Sequence, residues 1–264
     1  MCSSDPSKIA HVVPDRSKPS TRDTPADLLS QLVIANHILF ERGVLDAFGH
    51  ISVRHPQEPD RYFLACNKAP GLITVQDIIE FDLDSNPLDA DGRPVYLERF
   101  IHGEIYKARP EVVSVVHSHS PTVVPFTIIK DTPFRAVCHM AGFIGSKPPV
   151  FEIRDAVGDG SDLLIRTPSL GEALAREMGQ QDLVLMRGHG ATVVGHTLKQ
   201  AVFRAVYTEV NARTQAVAST LGEIICLSAR EADAAKLSTE GQAERAWGLW
   251  ERSAAIMHNS LINA

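Results

Sequence analysis

In the first part of the chain, segments with apolar residues at helical spacing alternate with short segments that have the two-residue spacing of β-strands. From Asp27 onward, apolar positions recur every three or four residues, which predicts a helix that ends near Gly43. The next apolar stretches are short and are bounded by turn-forming residues. They predict strands at 51–53, 62–64 and 78–83.

The middle of the chain pairs a helix with the strand that follows it. Apolar positions at 97, 100, 101 and 105 predict a helix over 97–108, and Pro110 stops it. The apolar run at 112–117 predicts a buried strand. Because so few residues separate the two elements, the helix is expected to lie against the strand that it enters.

The second half predicts three further helices and two strands. Pro168, with a capping box formed by Ser169 and Glu172, opens the first helix. Thr197 caps the second helix, and Gly222 ends it. The predicted helices cover 168–179, 197–221 and 240–263, and the predicted strands cover 183–186 and 191–194.

Strands and helices are mixed along the chain, with no repeat and no break in composition. We therefore expect a single α/β domain with one sheet over 25–264. Residues 1–24 are rich in Ser, Pro, Lys and Asp, and are predicted to form a polar N-terminal arm. Trp247 and Trp250, three residues apart on the last helix, are expected to pack against the body of the protein or a neighbouring subunit.

Composition and charge argue against several classes of protein. The 264 residues carry a net charge of −6, which argues against nucleic-acid binding. The four cysteines lack the spacing of a disulfide framework, which indicates reduced thiols and a cytoplasmic protein. The N-terminus has no apolar leader, and no apolar run approaches 18 residues, so neither a secretory signal nor a membrane span is expected.

The tripeptide His117-Ser118-His119 stands at the end of the predicted strand 112–117. Residues two apart on a strand project to the same face, so the two imidazoles would lie side by side. Neutral imidazole is the commonest metal-binding side chain, which makes the pair a candidate for two ligands of one ion. A chance His-x-His in a loop has the same sequence, so the motif alone does not decide.

Two other side chains are candidates for the same site. The helix rises about 18 Å and the strand spans about 17–20 Å, so an antiparallel return would place Glu98 beside the histidine pair. His189 lies between two glycines in the turn 187–190, and these glycines let the turn approach a ligand closely. Taken alone, Glu98 could be a solvated helix residue and His189 an ordinary turn histidine. Together, three imidazoles and a carboxylate suit Zn, Mn, Fe or Co alike.

Three segments resemble the class II aldolase/adducin family, the fold of metal-dependent sugar-phosphate aldolases and epimerases. They are GHISVRHP at 49–56, LERFIHGEIYKARPEVVSVVHSHSP at 97–121 and VLMRGHGATVVG at 184–195. The 19-residue step from Glu98 to His117 fits the family's spacing. The resemblance extends over about residues 27–225.

This resemblance implies a three-layer α/β/α domain with a mostly antiparallel central sheet. It also implies a homotetramer with active sites between adjacent subunits, and one divalent metal per subunit (Zn, Mn, Fe or Co). By the same match, His117, His119 and His189 bind the metal. Glu98 would either complete the shell or swing off to act as a base.

The chain departs from the sugar-phosphate members of the family where they hold phosphate. His50 stands in place of an asparagine, and Tyr96 and Leu97 stand where small hydroxyl residues precede the acidic residue. Residues 68–71 replace a Thr-Gly turn. Because a leucine cannot donate a hydrogen bond to phosphate, a phosphorylated sugar is not the expected substrate.

Side chains near these motifs favour an aromatic acid as the small-molecule substrate. Arginine presents a planar fork that matches a carboxylate, and aromatic side chains suit a flat ring. The candidates for substrate binding are Arg93, Tyr96, Arg99 and Phe100. Either arginine could instead pair with a surface acid. His139 lies roughly where aldolases of the family carry a tyrosine acid, so it is a candidate proton donor.

The segments around 97–106 and 115–126 are most similar to the family branch that decarboxylates hydroxylated aromatic or pyridine dicarboxylates, a step of aromatic compound catabolism. There a ring hydroxyl and its neighbouring carboxylate would chelate the metal, which stabilises the carbanion left by carbon dioxide. A proton would then come from His139, His50 or protonated Glu98.

Three alternatives remain open. One is a metal-dependent aldolase acting on a non-phosphorylated hydroxy-carbonyl compound. Another is an iron-dependent oxidative decarboxylase of an aromatic acid, as in a further branch of the family. The third is a non-catalytic, adducin-like scaffold, which the presence of all three histidines and the acid disfavours.

Overall fold

The computed structural model describes residues 25–262, and the predicted arm at 1–24 lies outside the described residues. The helices are α1 (Pro25–Glu41), α2 (Phe100–Ala108), α3 (Val124–Ile128), α4 (Arg154–Val157), α5 (Pro168–Met178), α6 (Leu198–Leu221), α7 (Ala229–Thr239) and α8 (Ala243–Ile262). The strands are β1 (His50–Arg54), β2 (Arg61–Ala65), β3 (Ile78–Asp82), β4 (Ser114–Ser118), β5 (Val150–Phe151), β6 (Leu183–Met186) and β7 (Gly190–Gly195). Short 3-10 turns cover Pro70–Leu72, Val75–Asp77, Leu97–Arg99, His139–Ile144 and Glu240–Gln242.

The strands form one mixed sheet in the order β3-β2-β1-β4-β7-β6-β5. Neighbouring strands are antiparallel except β5 and β6, which run parallel. The predicted single, mostly antiparallel sheet is therefore confirmed over the described residues.

Helices flank the sheet in two groups, which confirms the α/β/α architecture. Helices α1, α6 and α8 pack on one another, and α6 lies against the central strands β4 and β7. Helices α2 and α5 pack together, with α2 against β4 and α5 against β5 and β6. Trp247 and Trp250 on α8 are buried in this body, at 4% and 6% exposure, so their predicted packing role is confirmed.

The centre of the sheet brings distant residues into line. His50 on β1 lies opposite His117 on β4, and Thr192 on β7 lies opposite His117 on its other side. Residues directly opposite one another in an antiparallel pair project to the same face. The three side chains therefore share one face of the sheet, close to the point where β4 ends and His119 follows.

Two details of the predicted helices are wrong. Glu98 does not belong to α2 but to the 3-10 turn before it, with a non-helical backbone (φ −93°, ψ 17°). Helix α5 is capped by Thr167, whose hydroxyl accepts a hydrogen bond from the N–H of Leu170. Because Pro168 occupies the first helical position, the capping residue has to precede it, and the predicted Ser169 box does not form the cap.

Helix α7 was not predicted from the sequence pattern. It is polar along most of its length, and only Ala232 and Thr239 are buried, so it lacks a strong apolar period. A capping box of Ser228 and Glu231 opens it. None of the helices within 25–262 is long and apolar enough to cross a bilayer.

Candidate metal centre

Four side chains from separate parts of the sequence meet beyond the end of β4. Nε2 of His119 lies 2.9 Å from Nε2 of His117 and 2.9 Å from Nε2 of His189. Oε2 of Glu98 lies 3.6, 3.9 and 3.4 Å from Nε2 of His117, His119 and His189, respectively. The four atoms all lie within 4.8 Å of one another, so the structure brings together the set predicted from the sequence.

The turn between β6 and β7 carries His189 into this group. Gly188 has a left-handed backbone (φ +66°), a conformation that favours glycine. A Cβ atom at Gly190 would overlap the carbonyl oxygen of Ser118, so only glycine lets the turn approach the end of β4 this closely. Thr127 fixes the turn from α3, because its hydroxyl accepts a hydrogen bond from the N–H of Gly188 at 2.9 Å.

Glu98 reaches the histidines from the 3-10 turn rather than from α2. Its Oε1 accepts a hydrogen bond from the backbone N–H of Ile165 at 2.9 Å. Oε2 is left to face the three imidazoles, and the side chain is only 8% exposed. These contacts on both oxygens account for the non-helical backbone of Glu98, because they hold the carboxylate toward the sheet end.

Two of the histidines are held in the tautomer that a metal requires. Nδ1 of His189 donates to the carbonyl oxygen of Leu163 at 2.8 Å. Nδ1 of His117 lies 3.3 Å from Oγ1 of Thr192, whose own hydroxyl donates to Sδ of Met186. With the proton on Nδ1, each Nε2 keeps its lone pair for a metal ion.

The donor set fits a divalent transition metal. In a tetrahedral site with bonds of about 2.0–2.1 Å, ligand atoms lie about 3.3 Å from one another. Five of the six distances among the Nε2 atoms and Oε2 of Glu98 range from 2.9 to 3.9 Å and bracket this value, and all four atoms lie within 4.8 Å of one another. Three nitrogens and one carboxylate oxygen are ligands that such ions prefer.

The protonation states also suit metal binding. Burial would raise the pKa of Glu98, but the imidazoles of His117 and His189 hold it well below its usual range. Burial lowers the pKa of His117 and lowers that of His119 to about 4. Near neutral pH, Glu98 is therefore charged and both of these imidazoles are neutral, the forms that coordinate a cation.

The sequence profile of the class II aldolase and adducin N-terminal domain matches residues 30–216. The protein belongs to the class II aldolase/adducin family. Its four-residue cluster includes the three histidines and the acidic residue named above from the resemblance to this family.

Curated proteins similar in sequence to this class II aldolase-family protein include decarboxylases. Decarboxylase tropJ of Talaromyces stipitatus is 40% identical over 239 residues, which cover 82% of this chain and 90% of the relative. The 3,4-dihydroxyphthalate decarboxylase of Arthrobacter keyseri is 29% identical, over 69% of this chain and 75% of the relative. Among solved structures, an L-fuculose 1-phosphate aldolase from Glaciozyma antarctica PI12 has a similar fold. It has a TM-score of 0.75 at 24% identity, and the match covers 92% of this chain and 96% of that one.

A row of buried, hydrogen-bonded side chains lies next to the four-residue cluster of this class II aldolase-family protein, with His50 at the end nearest to it. Nδ1 of His50 lies 2.6 Å from Nε2 of His102, and Nδ1 of His102 lies 2.6 Å from Oγ of Ser52. Oγ of Ser52 lies 2.7 Å from the hydroxyl of Tyr106. Burial lowers the pKa of His50 well below its usual value and that of His102 to about 3. His50 is thus a neutral imidazole whose ring centroid lies 5.1 Å from that of His117.

The two arginines predicted to bind substrate are occupied elsewhere. Arg93 donates to four backbone carbonyl oxygens between residues 76 and 90. Arg99 donates to the carbonyls of Ser85 and Tyr96 at 2.9 and 3.1 Å. Because these hydrogen bonds hold both guanidinium groups against nearby backbone, their geometry argues against a role in receiving a substrate carboxylate.

The aromatic candidates divide between the cluster and its surroundings. The ring of Tyr96 lies 4.6 Å from that of His50, so it borders the site, but its hydroxyl donates to the carbonyl of Lys68 at 2.6 Å. Phe100 is half-buried, with the guanidinium of Arg99 4.4 Å from its ring centre. Tyr96 can therefore offer a flat wall near the metal-binding group but not a free hydroxyl.

His139 is exposed at the start of the turn His139–Ile144, which packs against α7. It is not one of the four residues of the cluster. Of the three candidate proton donors, His139 therefore lies outside this cluster, whereas Glu98 belongs to it and His50 lies beside His117. The sequence patterns also did not indicate that Ser52, Leu163 and Ile165 contribute to the site. Leu163 and Ile165 act through backbone atoms, which carry no sequence signal.

Proposed function

We propose that this protein is a divalent-metal-dependent lyase that removes carbon dioxide from a hydroxylated aromatic or heteroaromatic carboxylate or dicarboxylate. The observation that carries the proposal is the convergence of Glu98, His117, His119 and His189 on one point, with the tautomers that metal binding requires. Two relatives named as decarboxylases favour loss of carbon dioxide among the reactions such a site can support, and one of them is named for 3,4-dihydroxyphthalate.

The four residues of the cluster are proposed to hold the metal ion. The three imidazoles and Glu98 would hold Zn, Mn, Fe or Co. When bound, the cation supplies Lewis-acid stabilisation of the negative charge that develops as the carbon–carbon bond breaks. The electron pair of that bond stays on the ring carbon, carbon dioxide leaves, and the carbon then takes up a proton. His119 has 30% side-chain exposure, against 0% for His117 and 7% for His189, so substrate is proposed to approach from its side.

Two contacts support a substrate without phosphate. The hydroxyl of Tyr96 is bound to the carbonyl of Lys68, and Leu97, which is 55% exposed, has no donor in its side chain. Neither side chain therefore offers a free hydroxyl to phosphate oxygens. Since Arg93 and Arg99 donate to backbone carbonyls, we do not assign a second substrate carboxylate to them.

The proton donor is proposed to be His139 rather than His50. Burial keeps His50 neutral near pH 7, so it has no excess proton to give, whereas His139 is exposed. An exposed His139 can serve a site on a neighbouring subunit, which fits the homotetramer that the family resemblance implies. The tetramer remains part of the proposal.

Incubation of the metal-loaded protein with 3,4-dihydroxyphthalate tests the proposal against its alternatives. Carbon dioxide release without oxygen uptake, abolished by a chelator and restored by Mn²⁺ or Zn²⁺, is the expected result. Oxygen uptake with Fe²⁺ and a prenylated aromatic acid would instead indicate oxidative decarboxylation. Cleavage of a hydroxy-carbonyl compound to an aldehyde, with no carbon dioxide from any hydroxyaryl acid, would indicate an aldolase.

A further inference from the structure

One backbone segment contacts the metal centre twice. The carbonyl oxygen of Leu163 accepts the Nδ1–H of His189 at 2.8 Å. The N–H of Ile165, two residues later, donates to Oε1 of Glu98 at 2.9 Å. Residues 161–165, named here the clasp segment, therefore orient two proposed ligands, Glu98 and His189, that lie far apart in the sequence.

The clasp segment is held in a conformation that its sequence does not favour. Leu163 has φ +70°, in the left-handed region that residues with a Cβ seldom adopt. The side-chain oxygens of Ser161 and Asp162 accept the N–H groups of Leu163 and Leu164 at 3.0 and 3.2 Å. The side chain of Ile165 is fully buried and anchors the end of the segment. Such a conformation persists only where surrounding contacts impose it, and it aims the Leu163 carbonyl at His189.

We infer that the clasp segment is a positioning element of the metal centre, which keeps Glu98 as a ligand and prevents it from leaving to act as a base. The inference rests on the metal site of the proposed function. One oxygen of Glu98 is tied to backbone, and the other faces three imidazoles, so rotation of the carboxylate away from the metal would break both sets of contacts.

This arrangement bears on the choice of reaction at the site. Loss of carbon dioxide requires no base, because the breaking bond leaves its electrons on the ring carbon. Retro-aldol cleavage requires a base to take the proton of the substrate hydroxyl. A Glu98 that stays on the metal therefore suits the first reaction better than the second.

Removal of the Ile165 N–H tests the clasp directly. Ile165→Pro deletes the donor to Glu98, and Ile165→Val is the matched control that trims the side chain and keeps the donor. Affinity for Co²⁺ is measured by competition with a chelator, together with the visible absorption of bound Co²⁺, which depends on its ligands. We expect Ile165→Pro to bind Co²⁺ about tenfold to a hundredfold more weakly with an altered spectrum, and Ile165→Val to match the wild type.

If Ile165→Pro does not fold, Ser161→Ala/Asp162→Ala decides. This double variant removes the side-chain acceptors that shape the clasp segment and leaves every backbone donor in place, and Asp159→Ala in the same loop is its control. Weaker Co²⁺ binding by the double variant alone supports the clasp. Wild-type affinity and spectrum in Ile165→Pro, or in the double variant where the proline variant is unfolded, overturn it. Wild-type protein that binds no Co²⁺ overturns the metal centre itself, and the clasp with it, whereas a failed decarboxylation assay with intact Co²⁺ binding affects only the proposed reaction.

Discussion

Folding shifts the pKa values of the histidines in and around the cluster in different directions. Burial lowers the pKa values of His50, His102, His117 and His119. Burial would also lower the pKa of His189, but its contact with Glu98 outweighs that effect and raises it. Several imidazoles are therefore neutral in the folded protein. In the unfolded chain, each of them would gain a proton below about pH 6.5.

The metal-free protein is accordingly expected to lose stability as the pH falls from 7 to 5. A histidine whose pKa is depressed by folding binds fewer protons in the native state, so its contribution is present above pH 6.5 and is lost below it, by about 1 kcal/mol per pH unit. His189 opposes this trend, and Glu98 does not titrate in this window. Urea unfolding with a chelator at pH 5, 6 and 7 measures the slope. His102→Gln should flatten it by about one histidine's share, since the pKa of His102 is about 3. A slope unchanged by His102→Gln would contradict this account.

Replacement of one ligand should remove the metal. His119→Ala deletes one of the converging Nε2 atoms, and we expect metal affinity to fall by more than about a hundredfold, beyond the loss typical of residues that only support a ligand. His196→Ala is the matched control, because His196 is exposed and contacts the carbonyl of Glu111. Metal content after dialysis, measured by elemental analysis, distinguishes the two variants. Full metal content in His119→Ala would count against the assigned ligand set.

Residue identity and spacing indicated which side chains could meet, and the family resemblance assigned them to one site. His117 and His119 are two apart at a strand end, and His189 lies between glycines, so their side chains carried the signal. The residues that orient them were not predictable, because Leu163 and Ile165 act through backbone atoms that every residue has. The assignment of Arg93 and Arg99 to substrate stays a prediction that their contacts argue against, because both donate to carbonyl groups of nearby backbone and no sequence pattern indicates such contacts.

Among the secondary-structure elements, the long helix α6 is tied to its neighbours by a buried charge network. Arg204, at 1% exposure, donates to Oδ1 of Asp182 at 2.9 Å and to Oε1 of Glu240 at 2.6 Å. It also donates to the carbonyl of Val194 on β7 at 2.6 Å. Lys236 on α7 reaches Asp182 from the surface. The network thereby joins α6, α7 and the edge of β6 and β7, the strands whose connecting turn carries His189.

Loss of the buried arginine should be far more damaging than loss of the exposed lysine. Arg204→Ala would leave the Asp182 carboxylate buried without its main partner, and we expect the free energy of unfolding to fall by about 3–5 kcal/mol. Lys236→Ala removes a partly exposed charge and should cost less than about 1 kcal/mol. Urea denaturation of both variants at pH 7 provides the comparison. Equal effects would show that the arginine is not the centre of the network.

Periodicity predicted most elements correctly but not where some of them begin. The caps of α6, Thr197 and Gly222, lie where expected, because both residues have strong positional preferences. Glu98 falls outside α2, since contacts with His189 and Ile165 from distant elements override the local preference for a helix. Such tertiary contacts are not visible in a local pattern of apolar residues.

In the molecule as a whole, a single α/β domain with one sheet was predictable because strands and helices are mixed along the sequence, whereas the two helical layers were implied by the family resemblance. Helix α7 was missed because its exposed, polar surface gives little period. Over the described residues, the fold places the metal-binding group at the end of its central strands. The proposed replacement of a substrate carboxyl group by a proton would take place at that point.

The most direct measurement follows one substrate in heavy water. Metal-loaded protein is incubated in D₂O with the dihydroxyphthalate probe used above, carrying ¹³C in its carboxyl groups, and the products are analysed by mass spectrometry and NMR. We expect labelled carbon dioxide, an equal amount of product with one deuterium at the vacated ring carbon, and neither in His119→Ala or with a chelator. Persistence of the reaction after removal of the metal, or product formation that consumes oxygen and leaves that carbon without deuterium, would contradict the central claim.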